Sequence, residues 1–275
     1  MLLSERLTVF EARGRPELLQ AGLEAIIGSF LEGRIQASLL VGEPEAEGIL
    51  LGYYQAAPQR LEGGVWRRIT GGWEAHIGPG TWYVAAVFAS ESLEEAVWLG
   101  RNMSECLGGS WGATRIGPRR LAAGVVEMTT DSDPREAERC AAEMLVKPGG
   151  GVERRGLPES ASRIERAYRE PRWRLFEGAE PLPHKGVARR GPYHVRVGVS
   201  LHEGYISLAR VDGVFMASPP NEPYNAIAAI QGMPLGPQVL LLLESRLAGM
   251  AELYGVEASD FSEALRRAVD LGETT

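Results

Sequence analysis

Hydrophobic positions along the chain switch between two periods. From Pro16 to Leu31 the apolar residues Leu18, Leu19, Leu23, Ile26, Ile27 and Phe30 recur at helical spacing. Proline stands in the first turn and Gly33 lies past the end, so this stretch predicts a helix. Ile35–Val41 and Ile49–Tyr54 are short apolar runs bounded by Gly or Pro, the pattern of buried strands. Trp66–Ile69 and Trp82–Phe88 read as two further strands around a glycine-rich loop. A helix is expected from Ser92 to Leu107 and a strand over Leu121–Met128. Asp133-Pro134-Arg135-Glu136 opens another helix, with Asp as cap, Pro at the first position and Glu in the first turn. Helices and strands alternate irregularly, which predicts an α+β fold built on a mixed sheet and not a repeating βαβ array. No internal repeat is visible.

The pattern breaks at Glu177–Gly186, where Pro, Gly and Glu predict a linker. That break divides the chain into residues 1–180 and a C-terminal unit over 184–275. Past it, Tyr193, Val195, Val197, Val199 and Leu201 alternate with polar residues, the signature of a strand with one buried face. A turn at His202-Glu203-Gly204 returns the chain through Tyr205–Val211, and Asp212-Gly213 reads as the next turn. Three helices are expected to follow, over Tyr224–Ile230, Gln238–Tyr254 and Asp260–Leu271, the last with Asp260 and Glu263 at capping-box spacing.

Composition narrows the picture. The 275 residues carry a net charge of −7, with 44% hydrophobic and 24% charged residues, close to ordinary globular domains and unlike a disordered chain. No apolar stretch, Val239–Leu243 included, is long enough to span a membrane, and the N-terminus lacks a signal-peptide layout; a cytoplasmic protein is expected. The acidic balance argues against nucleic acid as a partner. Seven arginines between Arg154 and Arg174 are interleaved with Glu153, Glu159, Glu165 and Glu170, which reads as a solvated, salt-bridged helix. Of the 29 basic residues only Lys147 and Lys185 are lysines, so any chemistry that needs an amine must draw on one of those two. His76, His184, His194 and His202 have no zinc-site spacing among them, and no transition metal is expected.

The densest candidate for chemistry is Arg67-Arg68-Ile69-Thr70-Gly71-Gly72-Trp73-Glu74-Ala75-His76-Ile77-Gly78-Pro79-Gly80. Two arginines leave a strand and enter a loop where glycines let backbone amides approach an anion, while the guanidinium fork matches phosphate or carboxylate oxygens. Thr70 adds a hydroxyl and His76 a titratable ring. The same residues also suit a plain hairpin connection with turn glycines.

This stretch resembles the Arg-Arg-x-Thr/Ser-Gly-Gly signature of the lipoate–protein ligases, in the biotin/lipoate ligase superfamily. Leu51-Gly52-Tyr53-Tyr54-Gln55 is similar to the strand end that precedes that signature, and Ala21–Ala25 sits where the family's first helix lies. Gly213-Val214-Phe215-Met216-Ala217-Ser218-Pro219-Pro220 and Gly232 resemble the family's C-terminal accessory domain. The resemblance implies a catalytic domain over residues 1–180 and an accessory domain over 184–275. It implies ATP-dependent activation of lipoate to lipoyl-AMP, with magnesium, and transfer to a lysine of a lipoyl carrier domain. Arg67, Arg68, Thr70, Gly71, Gly72, Trp73 and His76 would then line the substrate and adenylate pocket.

The departures from the family pattern are concentrated at one site. Gly117-Pro118-Arg119-Arg120-Leu121-Ala122-Ala123-Gly124 has arginine where the family's lysine belongs and one residue more before the last glycine. Arg119 and Arg120 are bulkier than lysine and spread their charge over a planar fork. The family's Asn-Asp pair would fall near Gly112-Ala113 and is missing, Trp73 replaces a third glycine, and the loop to His76 is one residue short. Lys185 is a candidate replacement for the lysine, whereas Lys147 suits a surface helix end. Cys106 is a candidate nucleophile because related octanoyltransferases use a cysteine; Cys140 reads as a small core residue. Three readings follow. The first is a lipoate–protein ligase with an unusual active site. The second is a cysteine-dependent octanoyltransferase, and the third a non-catalytic relative that binds a carrier domain or an acyl adenylate.

Overall fold

The chain opens with β1 (Ser4–Gly14), which is an interior strand of the main sheet. Residues 3–57, 64–117, 122–170 and 182–270 are described here, from a computed structural model. Pro16 starts α1 (Pro16–Leu31) with the bounds its pattern predicts. Next come β2 (Ala37–Pro44), β3 (Gly48–Leu51), β4 (Gly64–Arg67), β5 (Ala75–Ile77) and β6 (Trp82–Ala89). Helix α2 (Leu93–Leu107) has Ser92 as its N-cap, accepting from the Glu95 amide at 3.4 Å. Strands β7 (Ser110–Ile116) and β8 (Ala123–Thr130) lead to α3 (Pro134–Leu145), capped by Asp133 through the Arg135 amide at 2.7 Å. Strand β9 (Val146–Arg155) and helix α4 (Ser160–Arg169) complete this part.

Six of these strands form one sheet in the order β7-β8-β6-β2-β1-β9. Strand β1 pairs parallel with β2 and β9, and the remaining pairs are antiparallel, so the sheet is mixed, as the irregular alternation predicts. Both faces are covered, which explains why β2, β6 and β8 read as unbroken apolar runs. Leu7, Val9, Leu39, Val41, Val84, Ala86 and Phe88 share a core with residues of α2 and α3. Phe10, Leu40, Tyr83, Ala85 and Val87 share another with α1 and with a small second sheet, ordered β4-β3-β5.

The C-terminal part adds the antiparallel sheet β10 (His184–Arg190), β11 (Tyr193–His202) and β12 (Tyr205–Val214). It continues through β13 (Met216–Ser218), α5 (Glu222–Ala228), α6 (Pro237–Met250), β14 (Glu252–Tyr254), which pairs with β13, and α7 (Ala258–Asp270). Val195, Val197, Val199 and Val211 form its core with Val239, Leu243 and Leu247 of α6 and Phe261 and Leu265 of α7.

Several expectations need correction. Strands β1, β7 and β9 were not visible in the sequence. In β9, Pro148 and three glycines read as a loop, yet an exposed edge strand tolerates both. Arg154 and Arg155 lie on β9, so among the described residues the arginine-rich helix is α4, with Arg154 on Glu138 at 2.6 Å and Arg169 on Glu165 at 2.6 Å. His184–Gly186, expected in a linker, belong to β10. Asp212-Gly213 do not turn: β12 runs on to Val214, with Gly213 opposite Val195. The helix expected to reach Tyr254 stops at Met250. Asp260 reaches back to the Glu257 amide at 2.7 Å, so the capping contact lies three residues earlier than its spacing with Glu263 predicts. Among the described residues no helix is long and apolar enough to cross a membrane.

Candidate functional site

Strands β3 and β4 run parallel with Leu51 beside Arg67, so both release loops at the same end. Arg67 is 1% exposed, and its Nη1 donates to the carbonyls of Gly52, Tyr53 and Gln55 at 2.9, 3.0 and 2.6 Å. Gln55 closes the same turn by accepting the Gly52 amide at 2.7 Å. Burial pushes the Arg67 pKa down to about 10, partly offset by Tyr224 and Tyr53, so the group remains charged near neutrality. Its Nη1 holds the neighbouring loop together.

Arg68 is fully buried and donates to the Trp73 carbonyl and, at 3.4 Å, to the Glu127 carbonyl. Burial lowers its pKa and the charge of Glu127 raises it again. Glu127, on β8, is the buried anion of this region. It accepts from Gln20 Nε2 at 3.0 Å, from the Tyr83 hydroxyl at 2.6 Å and from the Thr70 amide at 2.8 Å. The loop therefore does bind a carboxylate, and that carboxylate is the chain's own. Arg68 meets Glu127 at its backbone carbonyl and through its charge, while the carboxylate itself is held by the Thr70 amide, Tyr83 and Gln20.

The glycines are closed over as well. Gly72 has φ +102° and donates its amide to the Phe215 carbonyl at 3.1 Å. A Cβ on Gly71 would run into that same carbonyl oxygen. Phe215 itself stacks on Tyr54 at 4.1 Å, and Tyr54 donates to the Pro220 carbonyl at 2.6 Å. Thr114 donates to the Ala217 carbonyl at 2.8 Å, and Ser218 to the Arg115 carbonyl at 3.1 Å. The segment from Phe215 to Ser218 thus lies along β7 and covers the Gly71-Gly72 turn. Trp73 is half-buried, packed on the main core and against the Tyr193 ring at 4.9 Å.

The structure brings Arg67, Arg68, Thr70, Gly71, Gly72 and Trp73 together and leaves the other candidates apart. His76 is exposed on β5. Lys185 is exposed on β10, where its charge acts on Asp212. Lys147 pairs with Glu5 at 2.6 Å. Cys106 is joined to Cys140 in a disulfide across a Cα separation of 6.5 Å, tying α2 to α3. This corrects two expectations: Cys140 is more than a small core residue, and a disulfide-bonded Cys106 offers no thiolate for acyl transfer. Arg119 and Arg120 lie outside the described residues.

On the other side of Ile69 is a cavity of about 330 Å³. Its lining comprises Ile27, Ile69, Ile116, Ala167 and Pro220, with Glu24, Tyr53 and Tyr168 as its polar members. The Tyr168 hydroxyl donates to Glu24 Oε2 at 2.6 Å. Burial, then the Glu24 charge, pushes the Tyr168 pKa well up, so its proton stays in that bond. The sequence reading passed over Glu24, Tyr168 and Glu127. Only Glu127 carried a signal: a lone acid within the apolar run Val125–Met128.

No protein-family model and no curated protein matches the sequence. The fold, in contrast, matches end to end. P. falciparum LipL1 in complex with lipoate aligns over 98% of this chain and 98% of that one, with a TM-score of 0.61 at 5% identity. T. acidophilum Ta0514 with bound lipoic acid aligns over 62% of this chain and 98% of its own, with a TM-score of 0.47 and 16% identity. Lipoate-protein ligase A bound with ATP aligns over 62% and 98%, at 0.46 and 17%. The chain has the fold of the lipoate–protein ligases.

That fold raises the question of ATP and magnesium. In the arginine-glycine loop most described donors are engaged within the chain, whereas Thr70 Oγ1 is buried with no hydrogen-bond partner. Arg67 and Arg68 donate to the chain's own carbonyls, the Thr70 amide is on Glu127, and the Gly72 amide is on Phe215. Among the described residues no three His, Cys, Asp or Glu side chains gather as a cation site.

Proposed function

We propose that this protein is a lipoate ligase-like binding protein whose site takes a lipoyl- or octanoyl-type acyl chain, with a lipoyl carrier domain as its partner. The observation that carries the reading is the apolar cavity against Ile69 and Ile116. Ile69 stands inside the arginine-glycine motif, and Ile116 just precedes the segment that takes the place of the family's lysine. A volume of about 330 Å³ is within the range of small-molecule sites, and apolar walls with a few polar groups are their usual lining. The division into a ligase-like domain over 1–180 and an accessory domain over 184–275 belongs to the same proposal.

A second reading is ATP-dependent ligation, in which lipoate becomes lipoyl-AMP and passes to a carrier lysine. The end-to-end match to LipL1 favours it. Arg119, Arg120 or Lys185 would then do the lysine's work of stabilising developing negative charge.

One pair of measurements tests both. Binding of lipoyl and octanoyl compounds is measured by calorimetry, and an apo lipoyl carrier domain is weighed by mass spectrometry after incubation with the protein, lipoate, ATP and magnesium. Saturable binding without a mass change is the expected result. A lipoyl adduct on the carrier would replace the first reading by the second, and absence of both binding and adduct would overturn both.

A further inference from the structure

We infer that the cavity takes its acyl chain as a neutral amide, the form in which an acyl group is carried on a lysine, in preference to the free acid. The inference rests on the acyl-binding reading above and specifies the chemistry at the cavity's polar end.

Glu24, on α1, is the anionic member of the described lining. One of its oxygens accepts the Tyr168 hydroxyl at 2.6 Å, which anchors the carboxylate at the wall between α1 and α4. An ionised carboxylate has about four lone-pair sites, so acceptor capacity remains for an incoming N–H. An amide supplies that N–H and brings no charge. A free acid brings a second carboxylate, which the Glu24 charge repels, an effect moderated by solvent because Glu24 is exposed. Among the described residues the cation that acts on Tyr53 is Arg67, and its Nη1 serves the carbonyls of Gly52, Tyr53 and Gln55. The remaining lining, Ile27, Ile69, Ile116, Ala167 and Pro220, matches an aliphatic chain and has no side-chain donor for an oxyanion.

The test is calorimetry on the full chain with four probes: lipoamide, lipoate, octanamide and octanoate. Both amides should bind about fivefold more tightly than their acids near neutral pH and low salt. In Glu24→Gln the charge is gone, so acid and amide should bind with nearly equal affinity. Acids that bind as tightly as amides to the native protein, or an unchanged preference in Glu24→Gln, would overturn the inference while leaving acyl binding standing. If none of the probes binds, the acyl-binding reading itself fails. Ala167→Trp, at an exposed position on the cavity wall, should weaken all four; undiminished binding there would place the ligand elsewhere and overturn the inference. A peptide carrying an octanoyl-lysine separates the two sources of amide. Tighter binding than octanamide identifies an acylated protein, and equal binding a small amide.

Discussion

The arginine-glycine loop and the cavity beyond Ile69 are neighbours, yet they treat polar groups in opposite ways. In the loop the arginines, the Thr70 amide and the glycines are turned inward: guanidinium on carbonyl, amide on Glu127, glycine against the Phe215 carbonyl. In the cavity a few polar groups face an apolar volume that the chain leaves unfilled. The lesson is that residue types shared with a binding motif do not by themselves make a binding site. Buried donors must be satisfied, and a chain that supplies the partners internally converts a ligand cradle into a brace.

The contrast predicts that changes in the loop cost stability and spare affinity, whereas changes at the cavity do the reverse. The largest effect is expected for Arg68→Ala, which empties a fully buried site, strips the Trp73 carbonyl of its donor and takes a positive charge from the surroundings of Glu127, and should cost ~3–5 kcal/mol in urea unfolding. Unfolding energies within ~1 kcal/mol of the native protein would mean that Arg68 is no brace. Reduction of Cys106–Cys140 comes next. The cysteines are 34 residues apart, and opening a loop of that length should cost about 3–4 kcal/mol, seen as a lower melting temperature with acyl affinity unchanged. An altered affinity would join the disulfide to the site and weaken the contrast.

Gly71→Ala forces a methyl group against the Phe215 carbonyl and should cost ~1–3 kcal/mol, again without loss of binding. The smallest effect is expected at His194, where burial first, and then Arg189 and Arg196, lower the pKa below 6.5. The unfolded chain therefore takes up a proton first as the pH falls. Stability from this group is full above 6.5 and is lost as the pH drops through the lower folded value. Replacement by Gln should flatten the stability slope between about pH 7 and pH 5, read from urea midpoints. An unchanged slope would assign the acid sensitivity to other groups.

How much of this was readable beforehand depended on whether a residue's role was local. Ser92, Asp133 and Pro16 begin their helices as read, because capping acts within a turn of chain. Strands β2, β6 and β8 were legible as apolar runs because both faces of the sheet are covered, whereas the interior strand β1 was not. Strand β9 was not, since an edge strand rich in Pro and Gly has no hydrophobic alternation to betray it. The Asp212-Gly213 turn failed for a long-range reason: Gly213 donates to the Tyr54 carbonyl, a partner distant in sequence.

By itself the sequence determined the class of fold, the helix starts, the scarcity of lysine and the position of an arginine-glycine loop resembling that of the lipoate ligases. Those properties follow from hydrophobic period, capping chemistry and counting. The tertiary structure alone decided what that loop binds. It set Glu127 of β8 against Thr70 and Arg68, and Phe215 against Gly71 and Gly72. It also joined Cys106 to Cys140, and between α1 and α4 it left a cavity with Glu24 and Tyr168 at its wall. The physical reason is that the free energy of a buried polar group depends on the partner it meets, and folding brings that partner from a distant stretch of the chain.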